Sequence, residues 1–290
     1  MKKTLIRSEP LPLGASMDLS ISVSTLKLKN PTMLASGILG ETGASMLRVA
    51  RSGAGAIVTK SIGLKARSGY QNPIVVETRC GIINALGLPN PGIECYEEEV
   101  KTALKGDVPV IGSIFGSEAD EFSELAIAME SYGVHALELN LSCPHAKGYG
   151  AEIGQDPENV YEITRAVKKA VRPPVFVKLT PNVSDIASLA RAVEDARGDG
   201  VVAINTLRAM AIDIEIFRPV LSNTVGGYSG EAIKPVGVRC VYEIYKECRI
   251  PIIGVGGIAN ARDALEYIIA GASAVQIGSA IRIKGGGSVQ

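Results

Sequence analysis

A thiol and a carboxamide follow an apolar run of the sequence. The run at positions 136–139 is followed by Asn140, and Cys143 stands three residues later, just before Pro144. Enzymes of the α/β class place polar groups at the carboxyl ends of buried strands, where these groups meet the substrate. A cysteine thiol, with a pKa of about 8.5, becomes a proton acceptor where its surroundings favour the thiolate. Taken alone, Cys143 would be interpreted as a small buried residue in a tight turn, so a role as base depends on the groups that accompany it.

Two lysines and several asparagines also follow apolar runs. Lys60 and Lys178 each end such a run, and a buried lysine is unfavourable without an anionic partner. The partner is either a neighbouring carboxylate or an anionic cofactor or substrate, and we favour the second interpretation. Asn84, Asn140 and Asn205 offer paired donors and acceptors, which suit a flat imide or amide ring.

Two glycine turns near the end of the chain indicate a phosphate site. Gly256 and Gly257 precede a predicted helix, and Gly278 with Ser279 closes the last apolar run. Backbone N–H groups at such turns bind phosphate, and barrel enzymes place the phosphate after their seventh and eighth strands. Glycines also serve tight turns without a ligand, but two such turns in neighbouring units favour a phosphate.

Eight apolar runs must position these residues. Their Val, Ile and Ala content is typical of parallel strands that are buried on both faces. The predicted strands are Thr32–Gly37, Ala56–Ser61, Val108–Phe115, Ala136–Cys143, Val175–Thr180, Gly200–Thr206, Ile252–Gly257 and Ala274–Ala280. A helical stretch follows most of them, and eight such units predict an α/β fold, the closed (β/α)8 TIM barrel. The alternation from Asp18 to Leu28 predicts an N-terminal β-hairpin before the barrel.

The helical stretches carry start signals and apolar stripes. Asp156, before Pro157, and Asn260 are predicted N-caps, as are Ser117 and Ser184. The residues predicted to face inward are Phe122, Leu125, Ala126 and Met129, then Ile186, Leu189, Ala190 and Val193, then Leu265, Ile268 and Ile269.

The connections and ends of the chain complete the predicted organisation. Two long loops, 62–92 and 207–231, are expected to form a substrate roof or a partner surface. No eighth helix is predicted after the last strand, which suggests a truncated or altered end, or a seam covered by a partner. We expect one domain over residues 1–290, with 1–17 as a non-essential extension.

Composition argues against several classes of function. Thirty basic and thirty acidic residues cancel, and aromatic residues make up 4% of the chain, so nucleic-acid binding is not expected. Five cysteines without a C-x-x-C pair and two histidines argue against a disulfide framework and a metal site, and they are typical of the reducing cytosol. No run approaches the length of a membrane span. We therefore expect a cytoplasmic protein.

Seven motifs together resemble dihydroorotate dehydrogenase of class 1. They occur in the family's order, from about Met17 to Ile281. They are Ala-Ser-Gly at 35–37, Asn-Ala-Leu-Gly-Leu-Pro-Asn-Pro-Gly at 84–92, Asn-Leu-Ser-Cys-Pro at 140–144, Val-Lys-Leu-Thr at 177–180, Ile-Asn-Thr at 204–206, Gly-Tyr-Ser-Gly at 227–230 and Gly-Val-Gly-Gly-Ile at 254–258. The resemblance implies an FMN-binding barrel that oxidises (S)-dihydroorotate to orotate in pyrimidine biosynthesis.

The resemblance also implies a role for each matching residue. Cys143 would take the C5 proton while a hydride passes from C6 to N5 of the flavin, and Lys178 would stabilise the anionic reduced flavin. The residues implied to hold FMN are Ser36, Lys60, Ser61, Asn140, Lys178, Ile204, Gly230, Gly256, Gly257, Gly278 and Ser279. Those implied to hold the substrate are Lys60, Asn84, Ala85, Leu86, Gly87, Leu88, Asn140, Asn205 and Thr206.

Some positions depart from the family pattern, and others suggest a partner. His145 stands where many class 1 members have an asparagine that contacts orotate, and Ser113 replaces an asparagine often found near the flavin. The loops look closest to class 1B, whose members pass electrons to NAD⁺ through a subunit that carries FAD and an iron–sulfur cluster. The resemblance therefore implies a homodimer or a heterotetramer, with the FAD and the cluster in the partner subunit.

Three alternatives stay open from the residues. The sequence Cys-Pro-His also occurs in dihydropyrimidine dehydrogenase, whose related barrel reduces uracil and thymine. A flavin-free lyase could use Lys178 as a Schiff-base nucleophile. A non-catalytic FMN-binding subunit is the third alternative.

Overall fold

Eight parallel strands close into a barrel in the computed structural model, which describes residues 17–141 and 153–283. The strands are β1 (Ile21–Val23), β2 (Leu26–Leu28), β3 (Thr32–Leu34), β4 (Ala56–Val58), β5 (Val75–Thr78), β6 (Gly81–Asn84), β7 (Val110–Ile114), β8 (Ala136–Asn140), β9 (Val175–Leu179), β10 (Gly200–Ala203), β11 (Leu207–Ala209), β12 (Ile212–Asp213), β13 (Arg218–Pro219), β14 (Gly226–Ser229), β15 (Ile252–Val255) and β16 (Ala274–Ile277). The barrel order is β3, β4, β7, β8, β9, β10, β15 and β16, which pairs again with β3. The predicted TIM barrel is confirmed, and every predicted strand contains one of the eight.

A helix follows each barrel strand before the next one begins. The helices are α1 (Gly43–Arg51), α2 (Glu97–Leu104), α3 (Ala119–Ser131), α4 (Pro157–Ala170), α5 (Ile186–Asp195), α6 (Lys234–Glu247), α7 (Ala261–Ala270) and α8 (Ala280–Ile283). They pack on the outer faces of the strands and bury a large apolar layer between the two. Among the described residues, no helix combines the length and the apolar character that crossing a membrane requires.

Two of the four predicted N-caps are confirmed, and two are displaced by one residue. Asp156 accepts a hydrogen bond from Glu158 N, and Asn260 accepts from the first turn of α7. The N-cap of α3 is Glu118 rather than Ser117, and that of α5 is Asp185 rather than Ser184. In both cases a second polar residue stands directly before the helix, and the pattern does not distinguish the two positions.

The inward face of α7 differs from the prediction. Leu265 and Ile269 are 59% and 84% exposed, so their placement in the core is wrong, whereas Ile268 is partly buried against the core. The helix buries Asp263 and Tyr267 instead. The tyrosine ring fills space beside two glycines of α6 and β15, and the aspartate binds the loop that precedes the helix.

The prediction that no helix follows the last strand is corrected by α8. This helix starts at Ala280, and Ile281 packs partly against the core. The course of the chain after residue 283 lies outside the described residues, as do the predicted extension at positions 1–16 and the segment 142–152 with Cys143 and His145.

The predicted N-terminal hairpin is confirmed, and it closes the amino end of the barrel. Strands β1 and β2 pair antiparallel, with Val23 opposite Leu26. Val23, Leu26 and Leu28 are buried in one cluster with inward side chains of the barrel, among them Phe176 and Ile253. Ser24 of the turn reaches Asp199, which directly precedes β10. The opposite, carboxyl end is therefore the open end.

The two long loops form a second sheet at that open end. Strands β5 and β6 from the first loop and β11 and β14 from the second form an antiparallel sheet in the order β11-β14-β6-β5. Asn84 on β6 lies opposite both Val75 and Gly227. The loops predicted to form a roof are thus ordered by pairing with each other.

Candidate active site

A cavity of about 400 Å³ lies between the carboxyl ends of the barrel strands and the second sheet. It brings together nearly all of the residues predicted for the site. Those that line it are Ser36, Lys60, Ser61, Asn84, Leu86, Gly87, Leu88, Asn140, Lys178, Ile204, Asn205, Thr206, Gly230, Gly256, Gly257, Gly278 and Ser279. Residues from opposite ends of the sequence therefore meet at one place, as the closed barrel requires.

Two predicted residues are not among those that line the cavity. Ala85 is fully buried beside Ile83 and Leu221 in the small core under the second sheet, and its N–H donates to the carbonyl of Ile74. Cys143 lies outside the described residues. Asn140, three residues before Cys143, ends β8 and lines the cavity.

A buried ion pair lies at the floor of the cavity. Lys178 is 6% exposed, and its Nζ lies 3.5 Å from Glu138 Oε1. The other carboxylate oxygen of Glu138 accepts a hydrogen bond of 2.7 Å from Gln276 Nε2. Of the two interpretations of Lys178, the structure therefore shows a neighbouring carboxylate, while the lysine also lines the cavity. Both conditions can hold, because an ammonium group has three donors.

A chain of hydroxyl groups crosses the site beside this pair. Ser61 Oγ lies 3.2 Å from Ser36 Oγ and 2.8 Å from Ser113 Oγ. Asn140 Nδ2 donates to Ser61 Oγ at 3.0 Å. Ser113 is fully buried, so the residue that departs from the family pattern is part of the polar network of the site.

The asparagines continue this network towards the mouth. Asn205 Nδ2 lies 3.5 Å from Asn140 Oδ1, and Asn205 Oδ1 accepts from the backbone N–H of Thr206 at 2.8 Å. Asn84 reaches the site from the second sheet, where its Nδ2 donates to Gly227 O at 3.3 Å. The amides thus come from β8, from the end of β10 and from the roof.

Lys60 is the second cation at the cavity. It is half-buried, and its Nζ lies 3.7 Å from Glu41, a largely exposed carboxylate. An exposed partner at this distance neutralises the ammonium only weakly. Lys60 therefore presents positive charge to the cavity.

Glycines form one wall of the cavity where side chains cannot fit. Gly230, Gly256 and Gly257 have φ values of +114°, +126° and +69°, which L side chains rarely adopt. A Cβ at Gly257 would lie 2.7 Å from Gly230 O and 2.9 Å from Lys234 N. The close backbone approach needs glycine, and it leaves a concave surface lined by main chain.

Buried side chains behind this wall hold it in place. The hydroxyl of Tyr267 donates to Gly256 O at 2.7 Å, and burial raises the pKa of this phenol well above its usual value. Asp263 Oδ2 accepts from Ala259 N at 2.9 Å, while Lys234 Nζ donates to the same carboxylate. Hydrogen bonds to Asp263 and then Glu266 raise the pKa of Lys234 to about 12. The loop is thus fixed from α7.

Sequence analysis missed polar residues at the cavity and beneath it: Gln276 lines the cavity, and Glu138 contacts Lys178 and Gln276. Glu138 and Gln276 are the most informative, because both are charged or polar and almost fully buried. Each stands two residues before a residue predicted for the site, Asn140 and Gly278. A polar residue at this spacing inside an apolar strand shares the inward face of the barrel, and that signal could have identified both.

Comparison with known proteins gives one consistent family. A family profile described as Dihydroorotate dehydrogenase matches residues 18–290. The chain is 54% identical over 271 residues to the "Dihydroorotate dehydrogenase B (NAD(+)), catalytic subunit" of Methanocaldococcus jannaschii, covering 92% of this chain and 88% of that protein. It is 55% identical over 269 residues to the protein of the same name from Pyrococcus furiosus, covering 93% and 89%.

A solved structure shows the same fold. The dihydroorotate dehydrogenase of Eimeria tenella, crystallised with ferulenol, superposes with a TM-score of 0.81 at 22% identity, covering 96% of this chain and 83% of that one. At this identity the likeness concerns the barrel and not the details of the site.

Proposed function

The chain belongs to the dihydroorotate dehydrogenase family, and we propose that it oxidises (S)-dihydroorotate to orotate, a step of pyrimidine biosynthesis, with FMN bound in the cavity. The observation that carries the proposal is the joint placement of a glycine wall, a buried lysine and three asparagines around one cavity of about 400 Å³. The resemblance to the relatives named catalytic subunit points in the same direction.

The residues at the cavity fit FMN. Main-chain N–H groups at glycine turns suit a phosphate, and the crowded Gly257 leaves the backbone exposed towards the cavity. Lys178 and the amides of Asn140 and Asn205 supply the donors and acceptors that a flat isoalloxazine ring needs. We therefore assign the phosphate to Gly230, Gly256 and the turns beside them, and the ring to the floor of the barrel.

Bound FMN would supply the two-electron acceptor for the hydride that leaves C6 of dihydroorotate. The protein's own part is binding, positioning and proton transfer. Lys178 places a positive charge at the floor, where it favours negative charge on the ring. Its buried position strengthens this effect, because water does not screen the charge.

Dihydroorotate would bind between the ring and the second sheet. Lys60 presents a positive charge that suits the substrate carboxylate, and Asn84 and Asn205 present amides that suit the imide of the pyrimidine ring. Leu88 and its neighbours in the segment 84–88 contribute a wall of the same cavity. In the proposal, Cys143 Sγ accepts the C5 proton as thiolate; it follows Asn140, which lies at the cavity.

A lyase that uses Lys178 as a nucleophile is the less favourable interpretation. A Schiff base needs the neutral amine. The Nζ of Lys178 instead lies 3.5 Å from the Glu138 carboxylate, as one half of a buried ion pair. The position therefore suits a fixed cation better than a nucleophile.

The route of the electrons after flavin reduction is inferred from the relatives. Their name, catalytic subunit of an NAD(+) enzyme, implies a second subunit in those proteins. We propose that this chain likewise passes electrons to NAD⁺ through a subunit with FAD and an iron–sulfur cluster, in a homodimer or a heterotetramer. The described residues contain no group of side chains that could hold a metal ion.

The base assignment is tested by rapid mixing of the FMN-loaded protein with dihydroorotate under anaerobic conditions. Cys143→Ser should retain FMN and slow flavin reduction by about 10²–10⁴-fold at neutral pH, because a hydroxyl is a far weaker base than a thiolate. Cys95→Ser, at an exposed position, is the matched control and should reduce at the wild-type rate. Wild-type reduction by Cys143→Ser would remove this residue from its role. Reoxidation of the chemically reduced flavin by uracil, together with no reduction of the oxidised flavin by dihydroorotate, would indicate the pyrimidine-reducing alternative.

A further inference from the structure

Glu138 is a buried carboxylate that the proposed reaction leaves without a role. It is fully buried on β8, two residues before Asn140, and therefore lies on the same inward face one layer deeper in the barrel. Its strand neighbours are Ser113 and Phe176. In the described part of the chain, Glu138 and Lys178 are the ionisable side chains buried inside the barrel. Burial of such charges is energetically unfavourable, so their presence suggests that a function retains them.

The contacts of Glu138 fix both of its neighbours. An ionised carboxylate only accepts hydrogen bonds, so Gln276 must turn its Nε2 towards Glu138. As a result Gln276 Oε1 is buried and has no hydrogen-bond partner among the described residues. An unsatisfied buried acceptor is itself unfavourable. The cluster of Glu138, Lys178 and Gln276 is therefore not explained by stability alone.

From this cluster we propose that Glu138 is a positioning residue of the flavin site. It holds the ammonium of Lys178 at the floor of the cavity and reduces the positive charge that the lysine presents to the ring. The inference rests on the proposed binding of FMN. Because the carboxylate binds the ammonium and offsets its charge, Glu138 keeps the reduction potential of the flavin lower than an unpaired Lys178 would set it.

The test is the midpoint potential of bound FMN in Glu138→Gln, which removes the charge and keeps the shape. Slow reduction by xanthine and xanthine oxidase in the presence of a reference dye gives the midpoint potential without dihydroorotate. We expect the preference for reduced over oxidised FMN to increase about tenfold, which is about 30 mV more positive for a two-electron couple. A potential that is unchanged or more negative in a folded, FMN-loaded variant overturns the proposal.

Two further variants keep the test decisive. Glu138→Asp retains the negative charge but moves it away from Lys178, so a smaller positive shift of the potential is expected. If Glu138→Gln does not fold, this variant still decides the question, because an unchanged potential in Glu138→Asp contradicts the proposal. In a Lys178→Met background, Glu138→Gln should shift the potential by less than half as much. A full shift in that background would show that Glu138 does not act through the lysine.

The outcomes separate this inference from the proposed reaction. A wild-type protein that binds FMN but is not reduced by dihydroorotate would refute the proposed reaction, while a shifted potential in Glu138→Gln would still support the role of Glu138. The fluorescence of free flavin measures FMN binding by the wild-type protein. If the wild-type protein does not bind FMN, both the proposed reaction and the role of Glu138 are overturned.

Discussion

The two ends of the barrel are built from opposite kinds of residue. At the amino end, Val23, Leu26 and Leu28 of the hairpin close the interior with apolar side chains. At the carboxyl end, the barrel strands carry an ion pair, hydroxyl groups and amides beside a cavity. Apolar burial stabilises a fold, whereas buried polar groups are retained at the expense of stability where function needs them. The barrel thus separates stability and chemistry along its axis.

Lys178→Ala should have the largest effect at the carboxyl end. It leaves the Glu138 carboxylate buried without its cation, which costs about 3–5 kcal/mol of unfolding free energy. FMN binding or flavin reduction should be weakened as well. Urea denaturation and the FMN content of the purified protein measure the two effects. Lys168→Ala, which breaks a more exposed pair with Asp199, should cost about 0–1 kcal/mol and leave FMN in place.

Leu28→Ala should have the complementary effect at the amino end. It removes a side chain of the N-terminal hairpin that is 2% exposed, and the resulting cavity should cost about 2–4 kcal/mol of unfolding free energy. The affinity for FMN should stay at the wild-type value, because the hairpin lies at the end of the barrel opposite the site. Thermal unfolding and flavin titration check this, with the exposed Lys27→Ala as control. A loss of FMN affinity by Leu28→Ala would contradict the separation of the two ends.

Gly257→Ala tests the glycine wall. The substitution would place a Cβ 2.7 Å from Gly230 O and would require alanine to adopt a φ of +69°. We expect the dissociation constant of FMN to rise at least tenfold, which corresponds to about 1.4 kcal/mol of binding free energy. Gly53→Ala shares the positive φ, at +105°, but its Cβ has no atom within 4 Å. Equal FMN affinity in both variants would show that backbone strain, and not the shape of the wall, was being measured.

Tyr267→Phe should have the smallest effect. It removes the hydrogen bond to Gly256 O and leaves that carbonyl without this donor, which costs about 1–2 kcal/mol. FMN affinity should fall a few-fold, because the loop loses one support. Calorimetry and flavin titration measure the two, and the exposed Tyr242→Phe serves as control. Wild-type FMN affinity would mean that Asp263 alone positions the loop.

The sequence predicted the barrel because its strands are continuous apolar runs, and it predicted the site because polar residues end those runs. It did not identify Glu138, since one acid inside an apolar run resembles an interruption until the inward face is known. It also predicted Leu265 in the core, because periodicity cannot show that glycines elsewhere leave room for Tyr267. The second sheet depends on pairing between β6 and β14, which are far apart in sequence.

The carboxyl-end cavity is proposed to hold FMN and to be the place where the protein oxidises dihydroorotate. An anaerobic titration of the FMN-loaded protein with dihydroorotate, monitored by the visible absorbance of the oxidised flavin, tests this proposal. The absorbance should bleach in proportion to the dihydroorotate added, with orotate formed in equal amount. A protein that retains its flavin and stays oxidised at excess dihydroorotate would contradict it.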